Sequence, residues 1–124
     1  MATARFQDLE GKTAYLATAD AAGVPHLAVG EIVEVRAEAL LFRGWLCPRT
    51  LANLEDNRAV SLAVGLGPDG LQFVGTVEEK TIDAVLDGYG AADRDVPQVR
   101  YRLAVKPAQT LVMTDRAHTD RPLA

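Results

Sequence analysis

Gly44-Trp-Leu-Cys-Pro-Arg-Thr-Leu-Ala-Asn-Leu-Glu-Asp-Asn-Arg-Ala-Val-Ser-Leu-Ala-Val64 reads as the end of a strand, a short helix and a second strand. Ala39 to Phe42 is apolar and strand-like, and Gly44 ends it. Pro48 suits the first helical position, where its missing N–H would have no helical partner. Leu51 and Leu54 lie three apart and share a face. Asn57 suits the helix end, since Asn tolerates the left-handed conformation often needed there. Arg49 and Thr50 therefore fall in the first turn. Free backbone N–H groups, the positive dipole end, a guanidinium and a hydroxyl converge, as an anion and above all a phosphate requires. The other reading of the same pair is a solvated helix start, capped like many others.

Downstream, Arg58 to Leu66 alternates sharply. Val60, Leu62, Val64 and Leu66 are bulky, whereas Ala59, Ser61, Ala63 and Gly65 are small and uncharged. A solvent face would carry Lys, Glu or Thr, so the small face is expected to be covered, by a helix or by a second subunit. Upstream, Thr13 to Ala19 reads as a strand with Tyr15, Ala17 and Ala19 on one face and Ala14, Leu16 and Thr18 on the other. Asp20-Ala-Ala-Gly23 is a hairpin loop, and Pro25 opens a second strand at a tolerated position. That strand, Pro25 to Arg36, sets Leu27, Val29, Val33 and Val35 against His26, Ala28, Gly30, Ile32 and Glu34. Ala28 and Gly30 leave a low place, for a flat ligand, a close backbone or a bulge. Glu31 amid valines stands at a sheet edge or near a function.

Gly67-Pro-Asp-Gly70 is a turn, and Leu71 to Lys80 is a strand. Thr81 to Tyr89 is expected to be a helix, with Thr81 placed to cap it and Ile82, Val85, Leu86 and Tyr89 at helical spacing. Ala91 to Pro97 is a polar loop, and Gln98 to Val105 and Gln109 to Met113 are two further strands around Lys106-Pro107. Residues 4 to 10 form a helical turn or two, broken by Gly11. Residues 115–124 are expected to be a flexible tail. Six or seven short antiparallel strands with two or three short helices make a mainly β chain, and its natural closed form is a barrel.

The chain is 124 residues long, 48 per cent hydrophobic and 24 per cent charged, which suits one domain spanning 1–124. Its net charge is −4, and no run of Lys and Arg makes a basic face, so nucleic acid is not an expected partner. Cys47 is the only cysteine, which excludes an intrachain disulfide and suits a cytoplasmic location. It is either a reactive thiol beside Arg49 or a small buried hydrophobe. There is no apolar signal core and no run of 18 apolar residues, so no membrane span is expected. Cys-x-x-Cys and His-Glu-x-x-His are absent, and His26 and His118 are the only histidines, so no metal site is expected. Gly-x-Ser-x-Gly, Gly-x-Gly-x-x-Gly and Walker A patterns are absent as well.

Two segments in register resemble a known family. Arg49-Thr-Leu-Ala-Asn-Leu-Glu-Asp-Asn-Arg-Ala-Val-Ser-Leu-Ala-Val64 is similar to the "Lys/Arg-Thr-x-x-Asn-Leu … Asn-x-x-Val-x-Leu" segment of the FMN-binding split-barrel superfamily. This is the superfamily of the pyridoxamine 5′-phosphate oxidases and the small FMN-binding proteins. Ala14-Tyr-Leu-Ala-Thr-Ala-Asp-Ala-Ala-Gly-Val-Pro-His26 resembles its first hairpin, "Leu-Ala-Thr … Gly-x-Pro-His". The resemblance covers roughly residues 10 to 80 and implies a split β-barrel. It also implies FMN in a cleft of a homodimer and flavin-dependent oxidoreduction of a small molecule. By this resemblance Arg49 and Thr50 hold the phosphate, and the ring runs along Val29, Gly30 and Glu31 and along Phe42, Arg43, Gly44 and Trp45. Trp45 is a ring-stacking or an interface aromatic. No catalytic residue is assigned.

The chain departs from the true pyridoxamine phosphate oxidases. Their second strand carries an Arg and a Lys toward the phosphate, whereas Leu27 to Ile32 has no cation. Their C-terminal Arg segment finds only a faint echo in Arg121-Pro-Leu. Vitamin B6 oxidation is therefore not expected, and the size is that of the small FMN-binding proteins or reductases. The alternatives are a split barrel holding deazaflavin F420 or haem, and a cofactor-free binding module.

Overall fold

The computed structural model describes residues 3–45, 48–65, 69–86, 98–115 and 121–122. Within them β1 (Thr13–Ala19), β2 (Pro25–Val35), β3 (Leu40–Trp45), β4 (Ala59–Val64), β5 (Asp69–Leu86), β6 (Gln98–Thr114) and β7 (Arg121–Pro122) form one antiparallel sheet. Its order is β3-β2-β1-β4-β5-β6-β7, and β3 also pairs with β6. That pairing closes six strands into a barrel and leaves β7 as an extra strand on β6. A 3-10 helix (Thr3–Leu9) and α1 (Pro48–Asp56) complete the fold.

The interior follows the period-2 alternation of the strands. Ala14, Leu16, Ile32, Leu40, Phe42, Leu62, Phe73, Tyr101, Leu103 and Val105 are all buried there. The 3-10 helix adds Phe6 and Leu9 at the Thr13 end of β1. Phe6 meets Phe73 edge-on at 5.3 Å between ring centroids. Glu10 Oε1 accepts the Val35 N–H at 2.9 Å, and the Gln7 side chain donates to the Val35 carbonyl at 3.2 Å, which fastens this helix to β2. The β1–β2 turn is set by Asp20, whose carboxylate accepts the N–H groups of Ala22 and Val24 at 2.9 and 2.8 Å. Gly23 takes a φ of 84° there, as the hairpin reading required.

Three expectations change. Residues 81–86 of the expected Thr81–Tyr89 helix are extended in β5 and pair with Gln98–Arg102 of β6, while 87–89 lie outside the described residues. Thr81, Ile82 and Val85 are β-branched and suit a strand, and a long-range partner decides between two periodicities that local spacing leaves open. The two strands expected around Lys106-Pro107 are one, β6. Its register with β5 shifts between Val74 and Gly75, and the proline is accommodated at this irregularity. In β2 a further shift between Ile32 and Glu34 breaks the expected Val face, so Leu27 and Val29 are exposed while Val35 is buried. The turn residues Gly67 and Pro68 and the loop Ala91–Pro97 fall outside the described residues. In the expected tail, Arg121–Pro122 pairs with Leu111 and Val112 of β6.

At the β5–β6 irregularity the backbones approach closely. A Cβ on Gly75 would stand 2.8 Å from the Cα of Pro107, with the Lys106 carbonyl nearer still. Because backbone rather than a flexible side chain fills that space, Gly75→Ala is expected to cost about 1–3 kcal/mol. Equilibrium urea denaturation measures it, and an unchanged midpoint would contradict the close approach.

Candidate functional site

The residues singled out in β2 and β3 divide by face. Val29, Glu31, Arg43 and Trp45 lie on the outer wall. Val29 is 58% exposed and Trp45 44%. Glu31 lies opposite Arg43, and the two form an ion pair. Since β2 is paired on both sides, this carboxylate answers a cation rather than marking a sheet edge. The Arg100 guanidinium lies over the Trp45 ring, 5.5 Å from its centroid, and the two residues are opposite each other across β3 and β6.

Gly30, Phe42 and Gly44 serve the inner side. Gly30 and Gly44 are cross-strand partners. A Cβ on Gly30 would stand 2.6 Å from the Phe42 ring, and one on Gly44 2.7 Å from the Tyr101 hydroxyl. Phe42 and Tyr101 are fully buried, with centroids 6.4 Å apart. The low place read at Ala28–Gly30 is thus a close approach of the β3 backbone, the Arg43 carbonyl coming nearest to Gly30, with the Phe42 ring beside it. The two missing side chains make room for two rings of the core.

Arg49 and Thr50 occupy the first turn of α1, which begins at Pro48 as its ring predicts. Arg49 is exposed. Thr50 is completely buried, and its Oγ1 has no hydrogen-bond partner among the described residues. A buried hydroxyl normally finds a partner, because leaving it without one costs about 1–3 kcal/mol. This atom thus fits a ligand acceptor at the helix start. Leu46, Cys47 and His118 lie outside the described residues.

The rest of α1 holds that turn in place. Leu54 enters the core and Leu51 packs against it. Asn53 Nδ2 donates to Thr18 Oγ1 at 2.9 Å, both side chains being buried, which ties the helix to β1. Lys80 Nζ reaches Glu55 Oε1 at 2.6 Å and ties it to β5. That hydrogen bond and the charge of Lys80 hold the Glu55 carboxyl below the usual carboxylate range. Asn57 follows the helix end, and its side-chain oxygen accepts the Ala59 N–H at 3.0 Å where β4 begins. Sequence reasoning assigned no role to the Thr18–Asn53 tie. Its one signal was that both residues stand in the two quoted segments. Among the described residues no three His, Cys, Asp or Glu side chains lie together as a metal centre would need. No helix among them is long and apolar enough to cross a membrane.

A family model described as pyridoxamine 5′-phosphate oxidase matches residues 3–114. The chain belongs to this pyridoxamine 5′-phosphate oxidase family. Solved structures show the same fold. HupZ from Group A Streptococcus is 22% identical over 98% of this chain and 99% of that one, with a TM-score of 0.60. An F420 reductase is 20% identical over 86% of this chain and 94% of that one, with a TM-score of 0.61. A pyridoxamine 5′-phosphate oxidase-related, FMN-binding protein from Nostoc punctiforme is 10% identical over 86% and 77%, with a TM-score of 0.59. Among curated proteins no sequence matches. The same barrel thus occurs in an FMN-binding protein and in an F420 reductase.

Proposed function

We propose that this family member is a homodimeric FMN-binding protein and a flavin-dependent oxidoreductase of a small molecule, working in the cytoplasm. The observation that carries the cofactor is the enclosed Thr50 hydroxyl at the start of α1, which has no partner among the described residues. With Arg49 exposed in the same turn, it offers a neutral and a cationic donor to a phosphate, beside the free N–H groups of the helix. The outer residues Val29, Glu31, Arg43 and Trp45 would flank the ring, while Gly30, Phe42 and Gly44 shape the wall behind it. A bound flavin supplies the redox couple that the side chains lack. Leu27 to Ile32 carries no cation toward the phosphate, which sets this chain apart from a pyridoxamine phosphate oxidase.

The dimer reading rests on the outer faces of β1, β2 and β4. Leu27 is 62% exposed and Val29 58%. Leu27 lies opposite Ala17, Val29 opposite Tyr15, Tyr15 opposite Ala63 and Ala17 opposite Ser61, so these two rungs across three strands make a continuous, uncharged surface. The helix expected to cover it is strand over residues 81–86. A symmetric copy covers such a surface with itself.

Arg49→Ala is expected to weaken FMN by about 10- to 150-fold, the equivalent of a charge-assisted hydrogen bond of roughly 1.5–3 kcal/mol. Thr50→Val should do two things at once. It should weaken FMN, and it should stabilise the cofactor-free chain, because the buried hydroxyl is gone. Flavin fluorescence titration and denaturation of the same samples read both, and unchanged FMN affinity in both variants would refute the phosphate site. The absorption spectrum of the loaded protein separates FMN from F420 and haem. For the dimer, Ala63→Arg places a charge in the small face and should yield monomers that release flavin. Sedimentation at micromolar concentration checks it, and a 13.3 kDa species for the unmodified chain would overturn the dimer.

A further inference from the structure

The strand β1 starts from a fixed point. The Gly11 N–H donates to the Ile32 carbonyl at 2.7 Å, and the Lys12 carbonyl accepts the Ile32 N–H at 3.0 Å. The Lys12 N–H donates to the Leu9 carbonyl at 3.0 Å, which ties the same residue to the 3-10 helix. Beside this clamp Lys12, Thr13, Tyr15 and Gly65 line a cavity of about 360 Å³, a size at which small-molecule sites occur. Gly65 follows Val64, the partner of Ala14, and takes a φ of 75° as the chain leaves β4. It carries no side chain, and a Cβ there would find no atom nearer than 3.8 Å, so the space beside Thr13 stays open. The cavity adjoins the wall assigned above to the flavin ring. Tyr15 lies opposite Val29, and Thr13 lies opposite Glu31.

The lining has a polar and an apolar half. Lys12 and Thr13 are exposed, and Tyr15 is half-buried. Among the described residues the Lys12 ammonium and the Thr13 and Tyr15 hydroxyls have no partner. An ammonium donates and cannot accept, so its natural complement is an anion. No carboxylate is among the described residues that line the cavity. Three lie near it and are directed elsewhere or turned aside. Glu31 is held by Arg43, and Glu10 accepts the Val35 N–H. Asp69 approaches Gly65 with its backbone carbonyl, 3.9 Å from where a Cβ would stand. One cation balances one negative charge, which fits a carboxylate better than a doubly charged phosphate. The apolar half is the Tyr15 ring, flanked across the strands by Val29 and Ala63. An aromatic face of this kind pairs with another ring in offset or edge-on contact.

We propose that this cavity is a substrate subsite for a small aromatic monocarboxylate, its carboxylate on Lys12 and Thr13 and its ring on Tyr15. Its place beside a flavin rests on the reading under Proposed function, whereas binding in the cavity itself does not. The test is a titration of benzoate into the ¹⁵N-labelled full chain, with and without FMN, followed by amide NMR. Benzyl alcohol, which lacks the charge, and cyclohexanecarboxylate, which lacks the aromatic ring, are titrated in parallel. Saturable shifts at Lys12, Thr13, Tyr15 and Gly65 are expected, with a benzoate dissociation constant on the order of millimolar and weaker binding of the other two. Lys12→Gln should weaken benzoate about two- to fivefold, as a solvent-exposed ion pair allows, and leave benzyl alcohol unchanged. Thr13→Phe, at an exposed strand position, should fill the cavity and abolish the shifts. Lys106→Gln, outside the cavity, should leave them as they are. In the FMN-loaded chain benzoate should also displace the flavin absorption band. No saturable shift in the unmodified chain, equal benzoate affinity in Lys12→Gln and Thr13→Phe, or either control ligand binding as tightly as benzoate would each overturn the proposal. An unmoved flavin band in a chain that binds both ligands would overturn the placement beside the ring. Benzoate binding as described in a chain that takes up no FMN would support the cavity and refute the flavin reading alone.

Discussion

The pairing of β3 with β6 is the constraint on which the rest of this molecule depends. It turns an open sheet into a barrel, and a closed barrel has one inside to fill and one outside to use. Inside, Phe42 and Tyr101 sit against each other only because Gly30 and Gly44 carry no side chains in their way. Outside, the same pairing brings Arg43 beside Arg102 and Trp45 beside Arg100. One set of hydrogen bonds thus defines both the core and the charged wall.

Closure also fixes where α1 can sit. The helix connects β3 to β4, packs on β1 and β2, and is held by the buried Asn53–Thr18 hydrogen bond and the Lys80–Glu55 bridge. Its first turn is therefore presented by a rigid scaffold rather than by a loop, which suits a binding site. Thr50 stands enclosed in that turn at a cost to the free protein. A polar atom kept buried without a partner among the described residues is the kind of local conflict found where function overrides stability.

Sequence reading reached this architecture where the pattern is local and sharp. Val60, Leu62 and Val64 alternate with small residues, and the structure buries them as expected. Pro48 marks the start of α1, and Asp20 and Gly23 mark the first turn. It failed where a distant partner decides. Ile82, Val85 and Leu86 fit a helix by spacing, but pairing with β6 makes them strand. Pro107 looked like a break, but the irregularity at Gly75 lets β6 run through. Val33 looked like a face residue, but the register shift after Ile32 turns the chain there. In the candidate site, the first-turn position of Arg49 and Thr50 was legible from Pro48 and the residues that follow it. The Glu31–Arg43 pair and the Arg43–Arg102 contact were not, because they join residues far apart in the chain.

The central claim is that the start of α1 holds the phosphate of a flavin, and FMN against riboflavin tests it most directly, since the two ligands differ by that phosphate alone. Calorimetric titration of both into the unmodified chain should show FMN binding at least about tenfold more tightly, as even one charge-assisted hydrogen bond to the phosphate requires. Equal affinity for the two ligands would contradict the account.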